Sequence, residues 1–225
     1  MKSKDEFFLN RLMDWFKSNK RAFPWREGEI DPFVSLVTEL LLQRTKAISV
    51  SEFFPIILKK YATPSKVLGM KRENIIKDLE ILGLQKRRTD SLISISKEIK
   101  QKFKDSVPEK EEELLQLNGV GKYIARAVLC FSLGTPVSIV DGNVTRILCR
   151  YFDMENKGDN RRNKHIWEKA QDIINLQPKD VKEINWGMLD FAALVCTPRK
   201  PRCDDCPAGE RCAFLGKSGM EKKEE

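Results

Sequence analysis

Three groups of residues in this sequence have types and spacing that suit chemistry. The first is Leu117-Asn118-Gly119-Val120-Gly121-Lys122-Tyr123, a two-glycine turn, followed eighteen residues after Tyr123 by Asp141 in Val140-Asp141-Gly142-Asn143. Gly119 and Gly121 let the backbone turn tightly and approach another surface. The amides opening the next helix then form an anion site, helped by the helix dipole. Val120 anchors such a turn inward, and Lys122 stands beside it. The same Gly-Val-Gly also suits an ordinary corner between two helices. Asp141, after the apolar Val137-Ser138-Ile139-Val140, can cap the following helix. As a carboxylate it can also stabilise an oxocarbenium-like sugar or activate water. One residue can do both.

The second group is Cys196-x6-Cys203-x2-Cys206-x5-Cys212, four of the six cysteines in seventeen residues. Four thiolates so spaced suit a tetrahedral zinc ion or a [4Fe-4S] cluster. Arg199, Lys200 and Arg202 line the loop and could meet phosphates. Cys130 and Cys149 lie on apolar helical faces and read as core. The third group is Ser35, Glu39 and Gln43, which share one face at i, i+4, i+8. That face reads as a solvated stripe, or as a pocket carboxyl with Gln43 one turn further on. A carboxyl walled by Leu36, Leu40 and Leu42 would hold its proton firmly enough to donate it to a leaving base. The chain has a single histidine, His165, so acid–base work falls to carboxylates.

Helical spacing dominates, and it supplies the elements that position these groups. Phe7, Phe8, Leu12, Trp15 and Phe16 face inward from a first helix, which Arg21-Ala22-Phe23-Pro24-Trp25-Arg26 ends. Further helices are expected at Pro32 to about Lys46, Val50–Lys60, and from the Thr63 cap with Pro64. Others follow at Glu73–Leu82 ending at Gly83, Lys86–Phe103, Pro108–Leu117, Lys122–Leu133 closed by Gly134, Asn143–Phe152, Lys164–Leu176 and Val181–Cys196. About eleven helices with short loops make an all-α chain. The polar loop Asp153–Arg162 reads as flexible, and the charged tail 217–225 as disordered.

The 225 residues carry 41 Lys and Arg against 33 Asp and Glu, a net +8 that favours a polyanionic partner such as nucleic acid. No apolar run is long enough to cross a membrane, and Met-Lys-Ser-Lys-Asp-Glu is no secretory signal. The expectation is a reducing compartment without disulfides.

These motifs, with Phe23-Pro24-Trp25-Arg26, Asp31-Pro32-Phe33 and Thr38-Glu39-Leu40-Leu41-Leu42-Gln43-Arg44-Thr45, occur in the order seen in the endonuclease III and MutY superfamily of DNA glycosylases. The resemblance covers about Arg21 to Cys212. It implies two helical domains with the active-site cleft between them. One is a six-helix barrel with a helix-hairpin-helix (31–133); the other joins 1–30 to 134–216 and carries a [4Fe-4S] loop. The hairpin, Gly119, Val120, Gly121 and Lys122, would grip phosphate through its amides with a bound monovalent cation. Cys196, Cys203, Cys206 and Cys212 would hold the cluster, with Arg199 and Lys200 at the DNA. The partner would be double-stranded DNA with a mismatched or damaged base, and the enzyme a cytoplasmic, nucleoid-associated monomer (nuclear in a eukaryote).

In endonuclease III the residue two beyond the second hairpin glycine is a Schiff-base lysine. Here it is Tyr123, which cannot form an imine, so the chain resembles the monofunctional branch. The implied mechanism flips the base. Gln43 fills the gap with Arg44 beside it, Glu39 contacts or protonates the base, and Arg26 and Gln85 line its pocket. Asp141, with Asn143 and Tyr123, stabilises the sugar cation and places water. Leu82-Gly83-Leu84-Gln85-Lys86 replaces the Gly-Leu-Gly-Tyr-Tyr motif of the adenine branch, and the chain stops soon after the cysteines. Both lean toward thymine or uracil opposite guanine, as do Arg44, Asp190-Phe191 and Arg199-Lys200-Pro201-Arg202-Cys203. Gln43 and Asp141-Gly142-Asn143 lean toward adenine opposite guanine or 8-oxoguanine. A non-catalytic iron–sulfur DNA-binding module is the alternative of a different class.

Overall fold

The computed structural model describes residues 2–155 and 163–216, so most of the expected flexible loop (156–162) and the whole charged tail (217–225) lie outside the described residues. The described residues form helices and no strand. The α-helices are α1 (Lys4–Asn19), α2 (Pro32–Leu42), α3 (Ala47–Lys60), α4 (Pro64–Leu68), α5 (Arg72–Leu79), α6 (Gln85–Lys102), α7 (Glu111–Leu114), α8 (Lys122–Leu133), α9 (Gly142–Phe152), α10 (Lys164–Leu176) and α11 (Val181–Leu194). Two compact units result: residues 22–135, and residues 1–21 with 136–225.

In the 22–135 unit α2 is the centre. Every residue from Phe33 to Leu41 is buried, and α8 packs along it. Asp31 starts α2 by accepting the Phe33 and Val34 amides, and Pro32 sits where its missing N–H costs nothing. The helix stops at Leu42, four residues short of the Lys46 expected from spacing. Arg44 stands at φ +57°, a left-handed conformation that costs a non-glycine residue about 1–2 kcal/mol. α7 is also shorter than expected: three adjacent glutamates open it, and after Leu115 the chain tightens into three-residue turns leading to the hairpin. Phe23 and Trp25 stack at 4.8 Å, and Trp25 lies 6.0 Å from Phe54 of α3.

In the other unit α1 packs on α11, and α9 on α10 and α11. Phe8, fully buried, meets the rings of Tyr151, Phe152 and Phe191 within 6.4 Å. Asp190 of α11, also fully buried, accepts the Arg21 amide at 2.9 Å and Arg21 Nε at 2.7 Å. A buried carboxylate needs such paired donors, because unpaired it would cost several kcal/mol.

Candidate functional site

The hairpin forms where the two glycines stand. Gly119 takes φ +84°, which L side chains rarely adopt, and the Val120 amide donates to the Leu117 carbonyl at 3.1 Å. Leu117 and Val120 are buried and pin the turn to its unit. Gly119 and Gly121 face open space, with nothing within 4 Å of where a Cβ would stand. From behind, α6 braces the turn: the Asn118 amide donates to Glu98 Oε1 and its Nδ2 to Ser94 Oγ, both at 3.4 Å. Gly121 is the N-cap of α8 and offers no side-chain cap, unlike Asp31 and Asp141. Lys122 and Tyr123 follow at the head of α8, both half-buried. Burial lowers the basicity of the Lys122 amine, Arg126 adds to the effect, and Glu111 opposes it.

Glu39 is only 5 % exposed, and Ser35 and Thr38 beside it are buried too. The face that reads as a solvated stripe is therefore interior, because α2 is covered all round. Only its end emerges: Gln43 and Arg44 are exposed just past Leu42. Arg88, buried in α6, donates to the Leu41 and Gln43 carbonyls and to Thr45 Oγ1. Burial pulls its guanidinium below the usual arginine range. Gln85 opens α6 half-buried, next to Leu84, an exposed leucine at φ +53°. Leu84 was not singled out from the sequence, where a lone leucine in a Gly-Leu-Gln run carries no signal. Arg26 lies half-buried over the Phe23 ring at 5.0 Å.

In the 1–21/136–225 unit Asp141 is the N-cap of α9. Its Oδ1 accepts the Asn143 and Val144 amides, both at 2.8 Å, and its Oδ2 accepts Asn143 Nδ2 at 2.7 Å. The carboxylate is thus held in one orientation at a half-exposed position. Asn143 Oδ1 accepts from Arg146 NH1 at 3.1 Å, and Arg146 Nε donates to the Cys196 carbonyl at 2.9 Å. One turn on, Arg150 donates to the Thr197 and Pro198 carbonyls and lies 3.5 Å from Cys196 Sγ. Residues read as independent in sequence are therefore one hydrogen-bonded series from Asp141 to the cysteine loop. Arginines at i and i+4 on α9 are its only sequence trace.

Cys196, Cys203, Cys206 and Cys212 line one cavity together with Ile147, Arg150, Tyr151, Phe191 and Val195. Burial pushes the Cys206 thiol up to about 11, and the other three sulfurs add to it. Cys203 is raised by burial and by Cys212 and Cys196. The four sulfurs therefore share one space. Among the described residues no three of His, Cys, Asp or Glu close round a point as single-ion ligands would. Arg199 and Lys200 are exposed on the loop.

Residues 37–175 match the model of the HhH-GPD superfamily base excision DNA repair proteins. That span holds α2 from Val37, the hairpin, and Asp141. The chain belongs to the HhH-GPD superfamily. A thymine/uracil-DNA glycosylase of Methanothermobacter thermautotrophicus is 32% identical over 214 residues, 95% of this chain and 96% of the relative. A solved thermostable thymine-DNA glycosylase superposes with a TM-score of 0.90 at 32% identity, covering 95% of this chain and 97% of that one. An adenine DNA glycosylase of Mycobacterium tuberculosis is 33% identical over 205 residues, 90% of this chain but 66% of its own length. Among the described residues no helix is long and apolar enough to cross a membrane.

Proposed function

We propose that this HhH-GPD protein is a monofunctional DNA glycosylase that removes thymine or uracil opposite guanine, leaving free base and an abasic site. The observation that carries the chemistry is Asp141, a carboxylate fixed by three hydrogen bonds at the head of α9. A fixed negative charge stabilises the developing sugar cation without reorganising, and it can orient the attacking water. Asn143 and Tyr123 assist at the sugar, and buried Glu39 meets the base. Gln43 and Arg44, exposed at the end of α2, take the space the base vacates, with Leu84 a second exposed wedge beside Gln85 and Arg26 at the pocket. The uncapped first turn of α8 receives a backbone phosphate, with a monovalent cation at the turn. The near full-length likeness to thymine/uracil-DNA glycosylases supports the choice of base. Removal of adenine is the second reading, favoured by the likeness to the adenine DNA glycosylase.

The cysteine cavity fits a [4Fe-4S] cluster held by Cys196, Cys203, Cys206 and Cys212. Four sulfurs line one mainly apolar space, and Arg150 beside Cys196 Sγ would offset negative charge there. When bound, the cluster would cross-link the end of α11 to the loop carrying Arg199 and Lys200.

Tyr123 has no amine, so borohydride is expected to trap no efficient covalent protein–DNA adduct. Strand breakage should appear only after hot alkali. Lys122, with its lowered basicity, is the amine to watch. Strong trapping abolished by Lys122→Ala would show a lyase and refute the monofunctional reading.

A further inference from the structure

Arg88 is a buried cation on the first turn of α6, 7 % exposed, and among the described residues its guanidinium meets carbonyl and hydroxyl oxygens rather than a carboxylate. Its NH1 donates to the Leu41 carbonyl at 2.6 Å, and its NH2 to the Gln43 carbonyl at 2.9 Å and to Thr45 Oγ1. The two carbonyls belong to the C-terminus of α2, where helix ends leave acceptors without intrahelical partners and a positive charge is favoured. Between the groups it holds stands Arg44 at φ +57°. A conformation of that kind persists only where the surroundings over-determine it, and Arg88 supplies that constraint from α6.

The helix that carries Arg88 begins at a second such turn. Leu84, the N-cap of α6, stands at φ +53° with half its surface exposed, and its carbonyl accepts the Arg88 amide at 3.0 Å in the ordinary first-turn bond of the helix. The guanidinium therefore ties the helix that starts at the Leu84 turn to the turn that ends α2. These turns carry the exposed side chains of Gln43, Arg44 and Leu84, and the first of them begins one helical turn beyond Glu39. A cation at this depth costs desolvation that an apolar residue would not. The geometry it imposes is the compensating property.

We propose that Arg88 is the positioning residue for base extrusion. It fixes the spacing of the Gln43–Arg44 turn and the Leu84 turn, so that both enter the duplex without reorganising. The proposal rests on the reading of the chain as a mismatch glycosylase. Arg88 itself meets no substrate; it acts through the Leu41 and Gln43 carbonyls and Thr45 Oγ1.

The test uses the full chain with Arg88→Ala, Arg88→Lys and Thr45→Val, in single-turnover reactions on two duplexes. One holds thymine opposite guanine. The other holds thymine opposite an abasic site, where no pair has to be opened. Loss of charge-assisted hydrogen bonds predicts that Arg88→Ala slows the paired duplex on the order of a hundredfold and the unpaired one by less than about tenfold. A 2-aminopurine beside the target should lose its fluorescence rise on binding, while affinity for undamaged duplex stays within about twofold because the phosphate contacts are untouched. Arg88→Lys keeps the charge without the planar fork and should fall between. Equal slowing on both duplexes, as a merely structural strut would give, overturns the proposal, and so does no slowing. If Arg88→Ala does not fold, Thr45→Val should show the same ordering at smaller amplitude, and an unchanged ratio there overturns it. Wild-type protein that releases thymine from neither duplex would instead remove the glycosylase reading and the proposal with it.

Discussion

Asp141→Asn is expected to lose about a thousandfold in the rate of base release, as removal of a preorganised charge does at the upper end of its usual range. The protein should stay folded and bind duplex as before. Asparagine is as good an N-cap as aspartate. Its carbonyl oxygen can keep the Asn143 and Val144 amides that Oδ1 now accepts. What disappears is the negative charge at the head of α9. A second effect runs along the α9 series. The new amide would confront Asn143 Nδ2 with another donor, and turning Asn143 to relieve this would take its Oδ1 from Arg146. Asp141→Ala is less informative, since it also removes the cap and about 1 kcal/mol of stability. Single-turnover base release beside electrophoretic binding to a duplex separates chemistry from affinity. Undiminished release by Asp141→Asn would remove Asp141 from the mechanism, whereas release of no base by the wild type would leave the non-catalytic DNA-binding module.

The second large effect concerns the cysteine cavity. Protein purified without oxygen should carry roughly four iron and four sulfide per chain, and Cys206→Ser close to none. Metal binding is coupled to folding, so the variant should also melt well below the wild type, and the loop from Thr197 to Cys212 should become sensitive to protease. Cys206 is the residue to change because it lines the cavity together with the other three cysteines. Arg146 and Arg150 hold the loop to α9 through the Cys196, Thr197 and Pro198 carbonyls. Loss of the ligand should therefore also reduce base release through Asn143, by less than Asp141→Asn does. One zinc ion per chain, or no metal with unchanged melting, would contradict the assignment.

What could be read from the sequence was local chemistry. Asp141 as a cap, Thr63 before Pro64, Gly134 ending α8 and the turn at Gly119 follow from the residues themselves and their near neighbours. The all-α class follows from periodicity, and the order of motifs pointed to the superfamily that the family match shows. What could not be read depended on distant residues. The end of α2 at Leu42 is held from Arg88, 47 positions beyond Leu41, a partner that no local pattern reports. The Ser35–Glu39 face is interior because α2 is covered on every side, a property of packing that spacing along one helix cannot report. The link from Arg146 to Cys196 spans 50 positions and has no local signature.

The measurement that bears most directly on the central claim is a single-turnover panel with wild-type protein. It compares duplexes holding T:G, U:G, A:G and A:8-oxoguanine, each scored with and without hot alkali. T:G and U:G should react at least about tenfold faster than either adenine duplex, the margin that 1.4 kcal/mol of transition-state preference gives, and strands should break only after alkali. Faster release of adenine, or release of no base from any duplex, would contradict the account.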